Sequence, residues 1–336
     1  MKKKKALITG ISGQDGAYLT KLLISKNYEV IGTSRNPSTV NLWRLKYLGI
    51  KKKIKIFNNS ILGSPKFFIT EKLDEIYNLS ASSSVSNSFK HPIKTFKSNT
   101  LDSLQILNSI YLSKRNIKYY QASSSEMFGN TNSKCNDKTK FNPLSPYAIS
   151  KLSAHQLTLN YRENYGLFAC NGILFNHESP LRDKEYVSKK IIKNLLKHKN
   201  NKNHTFELGN IYAKRDWGHA EDYVRAMFLI MQHKSADDFL ITSGFNCSIK
   251  DFINIVCNRL TLNVMWKGQG FNEVLYNTDN NKKIIKINKN FFRPLDLKNS
   301  SGNSYKAQRY LKWKCKKSFT NLIDEMIFFE EKKLGH

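Results

Sequence analysis

The sequence predicts an α/β fold in which a doubly wound parallel sheet is joined by a smaller C-terminal α/β lobe. Apolar, β-prone segments alternate with segments of helical periodicity along most of the 336 residues. A glycine-rich turn stands between the first strand and the first helix. Polar, irregular stretches near residues 177–186 and 261–304 break the alternation, and we expect them to form the lobe at the carboxyl edge of the sheet.

The predicted elements follow one another as strand, helix, strand. Seven segments read as strands, and they are residues 5–10, 28–34, 53–57, 74–81, 117–124, 168–175 and 238–244. Four segments have helical periodicity, and they are residues 14–26, 95–112, 146–161 and 249–260. This alternation is typical of a parallel sheet with helices on its faces.

The charge balance is strongly basic. The chain has 55 Lys and Arg against 26 Asp and Glu, a formal net charge of +29, with 40% hydrophobic and 12% aromatic residues. This composition indicates a globular protein. Lysine runs such as "KHKNNKNH" are interleaved with Asn, and no nucleic-acid motif accompanies them, so we expect no nucleic-acid partner. The positive field would still attract an anionic nucleotide.

The cysteines indicate neither a disulfide framework nor a metal site, because they are odd in number, far apart and form no CxxC or Cys/His cluster. The apolar run at the basic start is broken by Thr9 and Gly10, too soon for a signal peptide. No apolar run reaches membrane-spanning length. We therefore expect a cytoplasmic protein without a membrane partner. The cysteines are Cys135, Cys170, Cys247, Cys257 and Cys315.

The string "GISGQDG" predicts a dinucleotide site. It places Gly10, Gly13 and Gly16 directly after the first strand and at the start of the first helix. Such a turn lets a pyrophosphate approach the backbone and meet the free N–H groups of the helix; the alternative is an ordinary turn. Arg35 stands 19 residues beyond Gly16 with no acidic residue nearby, which favours NADP over NAD. Taken alone, Arg35 is equally explained as an exposed loop cation.

The string "PYAISK" predicts the chemistry of an alcohol oxidation. Tyr147 and Lys151 are four residues apart and share one helix face. The lysine ammonium and a nicotinamide cation would lower the pKa of the tyrosine, which then takes a proton from an alcohol as hydride leaves the same carbon. Ser124, at the end of the preceding strand, supplies a further hydroxyl. In the alternative interpretation, the YxxxK spacing arises by chance, and Tyr147 and Lys151 are both ordinary surface residues.

Glu126 is not needed for alcohol oxidation. A carboxylate beside Ser124 is needed if a carbon-bound proton must also be removed. Once C4 of a hexose is a ketone, a glutamate can abstract the acidified C5 proton, the C6 hydroxyl can leave as water, and the hydride can return to C6. The alternative for Glu126 is a solvated or helix-capping carboxylate.

At these residues the sequence resembles the extended short-chain dehydrogenase/reductase family, and within it the GDP-mannose 4,6-dehydratases. The resemblance runs nearly end to end, and its most specific strings are "EIYNLSA", "SSSEMFGN", "PYAISK", "NGILFNHESP" and "LGNIYAKRDWGHAEDYV". It implies a Rossmann domain with a small substrate lobe, bound NADP, and a homodimer or homotetramer. We divide the chain at residue 175. Residues 1–175, completed by parts of 205–260, are expected to form the NADP-binding domain, and residues 176–336 are expected to form mainly the substrate-binding lobe.

The resemblance implies a role for each matching residue. Ser124, which stands at the family's usual threonine, Glu126, Tyr147 and Lys151 would be catalytic. The cofactor-binding residues would be Gly10, Ser12, Gly13, Gln14, Asp15, Gly16, Arg35, Leu79, Ala81, Ser83, Tyr147, Lys151, His177 and Arg182. The substrate-binding residues would be Ser84, Asn176, Lys189, Arg215 and Arg293.

Three of these residues have structural alternatives. His177 is equally a buried structural histidine, and Asn176 a turn residue. Arg215 is equally a salt-bridge partner of Asp216 or Asp222.

The sequence departs from the family pattern at several cofactor positions. The third strand ends in "NNSIL", which offers Ser60 or Asn59 in place of the acidic residue that contacts adenine. Lys94 replaces a tyrosine, Leu181 the first of two arginines, and Tyr212 an aspartate.

The resemblance implies a hydro-lyase that converts GDP-mannose to GDP-4-keto-6-deoxymannose. The alternatives are the same reaction on a GDP-heptose (GDP-D-glycero-D-manno-heptose), a nucleotide-sugar epimerase or reductase, and a regulator that binds NADP without turnover. Glu126 disfavours the epimerase, and the intact Tyr147–Lys151 pair disfavours the regulator.

Overall fold

Fifteen strands and twelve α-helices, with short 3-10 turns and one π turn between them, lie in the described part of the chain, which a computed structural model defines over residues 3–292 and 295–334. Strands β1 to β15 are, in chain order, Lys5–Thr9, Glu29–Ser34, Lys55–Asn58, Glu75–Asn78, Lys118–Ser124, Ala169–Leu174, His177–Glu178, Phe206–Leu208, Lys214–Asp216, Gly218–His219, Asp238–Ile241, Asn246–Ser248, Val264–Lys267, Val274–Asn277 and Lys283–Ile287. Helices α1 to α12 are Gln14–Ser25, Trp43–Tyr47, Pro65–Thr70, Val85–Lys90, Pro92–Phe96, Asp102–Ser113, Pro146–Tyr165, Val187–Asn200, Ala220–Gln232, Ile249–Arg259, Tyr305–Leu311 and Phe319–Leu334.

The central sheet has seven parallel strands in the order β11–β6–β5–β4–β1–β2–β3. All seven predicted strands are present, and the predicted doubly wound parallel sheet is confirmed. The strand order reverses between β1 and β4, so the loops that follow these two strands diverge at that point. Sheets of this kind bind ligands in the crevice outside the carboxyl ends of the strands at such a reversal.

Helices cover both faces of the sheet because successive strand residues point to opposite sides. Ile8 of β1 packs with α1 and α9 in one core cluster, whereas its neighbour Leu7 packs with α3 and α6 in another. Both residues are fully buried. The carboxyl edge of the sheet is therefore the part of it left for a ligand.

Two predicted helices differ in detail from the structure. The predicted helix over residues 95–112 is a run in which a π turn, Lys97–Leu101, joins α5 to α6. The helix predicted over 146–161 continues to Tyr165, because the first residue to adopt a left-handed conformation is Gly166, at φ 67°.

The smaller lobe has a core of its own. Helices α8, α10 and α12 pack their apolar faces against a four-stranded sheet in the order β13–β14–β15–β8. The expectation of irregular structure across residues 261–304 is wrong for β13, β14 and β15. These strands are short and expose residues such as Met265 and Lys267 on one face, so their apolar signal is weak.

The segment 177–186, by contrast, lies along the carboxyl edge of the central sheet. Its strand β7 pairs with β10, and its backbone contacts the start of α1. Over the residues described, none of the helices combines the length and apolarity needed to cross a bilayer.

Candidate active site

The turn after β1 requires glycine at two positions. Gly10 has φ +67°, and a Cβ there would lie 3.0 Å from the backbone nitrogen of Ser80. A Cβ on Gly16 would lie 2.4 Å from the carbonyl oxygen of Gly10, so helix α1 starts in direct contact with the turn. Gly13 is the N-cap of α1 and has no side chain to occupy the free N–H groups. The turn therefore presents bare backbone donors to the crevice.

A buried threonine ties the turn to the loop after β4. Thr9 Oγ1 donates to Asn78 Oδ1 at 2.7 Å and accepts from the backbone N–H groups of Leu79 and Ser80 at 3.0 and 2.9 Å. These bonds hold the ends of β1 and β4 together. They place the predicted cofactor residues Leu79 and Ala81 beside the glycine turn.

Asp15 and His177 form an ion pair across the crevice, with Oδ2 and Nε2 2.9 Å apart. Burial disfavours the charged form of both residues, but the charge and hydrogen bond of the partner outweigh the effect of burial. The pKa of Asp15 is therefore lowered, and the pKa of His177 is raised. His177 also donates from Nδ1 to the carbonyl oxygen of Phe175 at 2.7 Å and stacks on Tyr223 at 4.4 Å. The pair locks the start of α1 to the segment after β6.

Gln14 strengthens this junction. Its Nε2 donates to the carbonyl oxygen of His177 at 3.2 Å, and its Oε1 accepts from Ser179 Oγ at 2.7 Å. Gln14 and Asp15, both predicted to bind cofactor, are thus oriented by residues 177–179.

Arg182 and Ser83 meet at Tyr186. The guanidinium of Arg182 lies 3.5 Å from the ring centre of Tyr186, and the hydroxyls of Ser83 and Tyr186 are 2.6 Å apart. Arg182 also pairs with buried Glu178 at 3.0 Å. Burial lowers the pKa of Arg182, but the Glu178 carboxylate outweighs this and raises it. These contacts join the loop after β4 to the segment after β7.

Helix α7 delivers Tyr147 and Lys151 to the crevice. Ser145 caps the helix by accepting from the N–H of Ala148, and Pro146 occupies its first turn. Lys151, buried, donates from Nζ to the carbonyl oxygen of Ala122 on β5 at 2.8 Å. Burial lowers the pKa of Lys151 to about 8, although the charge of Asp15 acts in the opposite direction.

Ser124 and Glu126 approach the same tyrosine from the end of β5. Burial raises the pKa of Tyr147 well above its ordinary value, while a hydrogen bond with the Ser124 hydroxyl acts to lower it and the Glu126 charge acts to raise it. Ser124 Oγ also accepts from the N–H of Glu126 at 3.3 Å and starts the tight turn Ser125–Phe128. The structure thus brings the four predicted catalytic residues together.

Arg35 is separate from this group. It is exposed after β2, and its carbonyl oxygen accepts from Asn58 Nδ2 at 2.9 Å. It lines a cavity of about 610 Å³ together with Asn59 and Lys94.

The predicted substrate residues lie on separate elements: Ser84 precedes α4, Asn176 follows β6, and Lys189 is in α8. Ser84 caps α4 by accepting from the N–H of Asn87 at 3.2 Å, and the carbonyl oxygen of Asn176 accepts from Gly218 N at 3.1 Å. Lys189 is buried and pairs with Glu330 at 2.7 Å.

Arg215 is also buried. It pairs with Asp296 at 3.0 Å and donates to the carbonyl oxygen of Leu297 at 2.7 Å. The fifth predicted substrate residue, Arg293, lies outside the described residues.

Two residues that hold the site were missed by sequence analysis. Arg44 is buried and donates to the carbonyl oxygens of Leu181 and Ser12 at 2.6 and 3.1 Å, so it braces the glycine turn. Asn99, within the π turn, accepts from the N–H of Ser82 at 2.7 Å and donates to Ser150 Oγ at 2.9 Å. No motif marks either residue.

Two departures from the family pattern have a place in the packing. Leu181 is fully buried, so it contributes to the core and not to charge at the crevice. Tyr212 donates its hydroxyl to buried Glu273, which also pairs with Lys250 at 2.5 Å.

The chain is similar to known proteins over nearly its whole length. The family described as GDP-mannose 4,6 dehydratase matches residues 7–326. The GDP-mannose 4,6 dehydratase of Drosophila melanogaster is 38% identical, over 96% of this chain and 85% of its own length. The human enzyme of that name is 37% identical, over 96% of this chain and 90% of its own.

A solved structure shares the fold. The dTDP-glucose 4,6-dehydratase of Streptomyces venezuelae, solved with NAD bound, superposes with a TM-score of 0.82 over 98% of both chains at 19% identity. Because the superposition covers nearly the whole of both chains, the two proteins share the fold of the central sheet and of the smaller lobe. On the family match and the near full-length identity to its relatives, this chain belongs to the GDP-mannose 4,6-dehydratase family.

Proposed function

We propose that the chain is an NADP-dependent hydro-lyase that converts GDP-mannose to GDP-4-keto-6-deoxymannose. The observation that carries this proposal is the meeting of Ser124, Glu126 and Tyr147 at the carboxyl end of β5, with Lys151 one helical turn behind. An alcohol dehydrogenase needs the hydroxyls and the lysine; the added carboxylate suits an elimination. The names of the relatives favour GDP-mannose over a GDP-heptose.

The crevice fits a nicotinamide dinucleotide. The glycine turn offers bare backbone N–H groups where the pyrophosphate would lie. Asn59 Oδ1, beyond β3, is a buried acceptor that receives no hydrogen bond from the described residues. An adenine amine would supply a donor to it. When bound, the nicotinamide supplies reversible hydride storage, taking hydride from C4 of the sugar and returning it to C6.

Tyr147 Oη would take the proton of the C4 hydroxyl. Because burial raises its pKa, the tyrosine needs a nearby positive charge to act as a base at neutral pH. The ammonium of Lys151 supplies that charge from the same helix face. Ser124 Oγ, which acts to lower the pKa of Tyr147, would orient the reacting oxygen.

Glu126 would then remove the C5 proton, which the C4 ketone makes acidic. The same carboxyl group, with Ser124, would deliver a proton to the departing C6 hydroxyl, so that it leaves as water. As the hydride reaches C6, a proton returns to C5, and Tyr147, which holds the proton of the C4 hydroxyl, would supply it. One water is lost, one hydride moves from C4 to C6, and neither oxidant nor reductant is consumed.

The division of labour along the chain follows the same proposal. Residues 1–175 with parts of 205–260 would hold the cofactor, because β11 and α9 complete the sheet and its covered face. Residues 176–336 would mainly hold the GDP-sugar. We also propose a homodimer or homotetramer, which light scattering on the purified protein would measure.

Isotope transfer tests the reaction. GDP-mannose carrying deuterium at C4 is incubated with the protein and catalytic NADP⁺, and the product is followed by mass spectrometry and NMR. We expect a product lighter by one water, with the deuterium in a C6 methyl group and no build-up of NADPH. Unchanged substrate, or an epimer that retains its water, would contradict the proposal.

A further inference from the structure

The turn that carries Glu126 is short. It spans Ser125–Phe128, begins at Ser124 on β5 and ends at Gly129, which has φ 65°. Gly129 lies so close to the loop before α7 that a Cβ on it would be 2.1 Å from the carbonyl oxygen of Asn142. A single 3-10 turn has poorer hydrogen-bond geometry than an α-helix, so it has little rigidity of its own. The position of Glu126 therefore depends on what packs against the turn.

Residues 296–303, here called the crossing segment, lie against the loop that follows this turn. Cys135 is joined to the crossing segment by two backbone hydrogen bonds. Its N–H donates to the carbonyl oxygen of Ser301, and its carbonyl oxygen accepts from the N–H of Asn303, each at 2.9 Å. These two bonds fix the end of the loop against the C-terminal part of the chain.

The crossing segment also contacts the turn itself and the start of the loop. The backbone N–H of Lys298 donates to Asn130 Oδ1 at 2.8 Å. Ser300 is buried, and its Oγ lies 3.5 Å from Oγ of Ser125, the residue directly before Glu126. The crossing segment therefore contacts the chain on both sides of Glu126.

The crossing segment is joined on its other side to β9, in the part of the chain that would mainly hold the GDP-sugar. The N–H of Lys214 donates to the carbonyl oxygen of Lys298 at 2.9 Å, and the carbonyl oxygen of Lys214 accepts from the N–H of Ser300 at 3.1 Å. Arg215, a predicted substrate residue, pairs with Asp296 at 3.0 Å. The crossing segment thus bridges the expected substrate side and the end of β5.

Gly302 sets how closely the crossing segment approaches the central sheet. A Cβ on Gly302 would lie 2.6 Å from the ring of Phe175 and 2.9 Å from the side chain of Leu240. Both side chains are buried, so neither has room to move away. Carbon atoms in contact are about 3.5–4.0 Å apart, so a side chain at position 302 would push the crossing segment outward by roughly 1 Å.

The other residues of the proposed reaction are held by different elements. Ser124 is the last residue of β5, and Tyr147 and Lys151 belong to α7. Among the described residues, the crossing segment forms hydrogen bonds to neither β5 nor α7. It therefore supports the turn of Glu126 rather than the helix that would oxidise the alcohol.

We propose that the crossing segment positions Glu126 for removal of the C5 proton, with Asn130 and Gly302 as its positioning residues. The inference rests on the proposed function, because it assigns these residues to the dehydration half of that reaction. Oxidation at C4 does not depend on them. The segment that meets the predicted substrate residue Arg215 is then the one that holds the base in place.

Single-turnover kinetics separate the two halves of the reaction. The full-length protein, loaded with NADP⁺, is mixed with GDP-mannose, and the absorbance of NADPH is followed beside mass spectrometry of the sugar nucleotide. The rise of NADPH reports oxidation at C4, and its fall reports hydride return after loss of water. We expect Gly302→Ala to keep the rate of the rise within about twofold and to slow the fall roughly ten- to hundredfold, the effect of a displacement near 1 Å.

Asn130 gives a milder test, which decides the matter if Gly302→Ala does not fold. Asn130→Leu removes the acceptor for the N–H of Lys298, so the fall should slow roughly two- to tenfold, the range of one hydrogen bond. Asn130→Asp keeps an acceptor and should restore the fall. The matched control is Asn280→Leu, which removes an acceptor for the N–H of Lys282 at 3.0 Å in the lobe and should change neither phase.

A structural role alone would give a different result. It would lower the amplitude of both phases, or slow the rise and the fall by the same factor, and either result would overturn the inference. An unchanged fall in Gly302→Ala and Asn130→Leu would overturn it as well. A failure of the proposed function would instead appear in the unchanged protein, which would form neither NADPH nor dehydrated product, and the inference would fall with it.

Discussion

His177 Nε2 lies 2.9 Å from Asp15 Oδ2, and this contact joins the start of α1 to the segment that follows β6. The two residues are 162 positions apart in the chain. Each is predicted to contact the cofactor, and their pairing shows how the two side chains are held at the crevice.

The Asp15–His177 pair predicts a pH window of stability. The pKa of His177 is raised above 6.5, so its contribution is complete below that value and is lost as pH rises through the raised pKa. The pKa of Asp15 is lowered below 3.8, so its contribution is lost as pH falls through the lowered pKa. We expect the melting temperature to fall from pH 6.5 toward pH 9 in the unchanged protein. The His177→Gln variant should have a lower melting temperature at pH 6, and its melting temperature should fall less between pH 6.5 and pH 9. An equal fall in the variant and the unchanged protein would contradict this prediction.

Replacing Glu126 with Gln should separate oxidation from dehydration. The variant keeps Tyr147, Lys151 and Ser124, so the C4 hydroxyl is still oxidised. Without a base for the C5 proton, the hydride stays on the cofactor, and NADPH accumulates to at most one equivalent per site. The measurement is the absorbance of NADPH beside mass spectrometry of the sugar nucleotide. Tyr147→Phe is the control, and we expect it to lower kcat by roughly 10²–10⁴ and to form no NADPH. Normal dehydration by Glu126→Gln would remove its proposed role.

Lys151 should set the alkaline limb of the reaction. Burial lowers its pKa to about 8, so the ammonium that supports Tyr147 is lost as pH rises through that value. We expect kcat/KM to fall above about pH 8. Lys151→Arg keeps its charge at all accessible pH values, so the variant, although slower, should lack that fall. The same limb in Lys151→Arg would assign the titration to another group.

The buried pair of Lys189 and Glu330 is expected to be structural. Both side chains are nearly inaccessible, and their charged atoms are 2.7 Å apart. Glu330→Gln leaves the lysine charge buried and uncompensated, so we expect it to lower the free energy of unfolding by about 3–5 kcal/mol. The double variant Lys189→Met/Glu330→Gln should recover most of that loss in urea denaturation.

The same double variant reports on the substrate. If Lys189 holds only the C-terminal helix α12, the double variant should retain its KM for GDP-mannose. A raised KM in a variant of normal stability would return Lys189 to the substrate site, as the family resemblance implies.

The strands of the central sheet were predictable because each is a run of β-prone residues between turn signals, as in "KALITG" before Gly10. The strands of the lobe were not predictable, because β13 and β15 are short and half exposed. Their residue pattern is as typical of a loop as of a strand. The helix predicted over 146–161 and the observed α7 both start at Pro146, whereas the end of α7 depends on a left-handed glycine.

The motifs likewise indicated candidate residues for the chemistry, but not the residues that hold them in place. Arg44 meets Leu181 across 137 positions of sequence, and no local pattern around an isolated arginine indicates such a contact. The same holds for Asn99, whose hydrogen bonds to Ser82 and Ser150 depend on a π turn that departs from the periodicity by which helices are found.

That π turn sets the angle, about the helix axis, between the side chains of α5 and those of α6. Lys94, before it, faces the Arg35 cavity, and Asn99, within it, binds both the loop after β4 and helix α7. An α-helix advances about 100° per residue, so deleting one residue from 97–101 would swing the preceding turn by about that angle. Lys94 would then leave the cavity while α6 stayed in place. The π turn thus keeps Lys94, at the Arg35 cavity, and the contacts of Asn99 to helix α7 in fixed positions relative to each other. We expect length changes in this segment to be tolerated far less than substitutions.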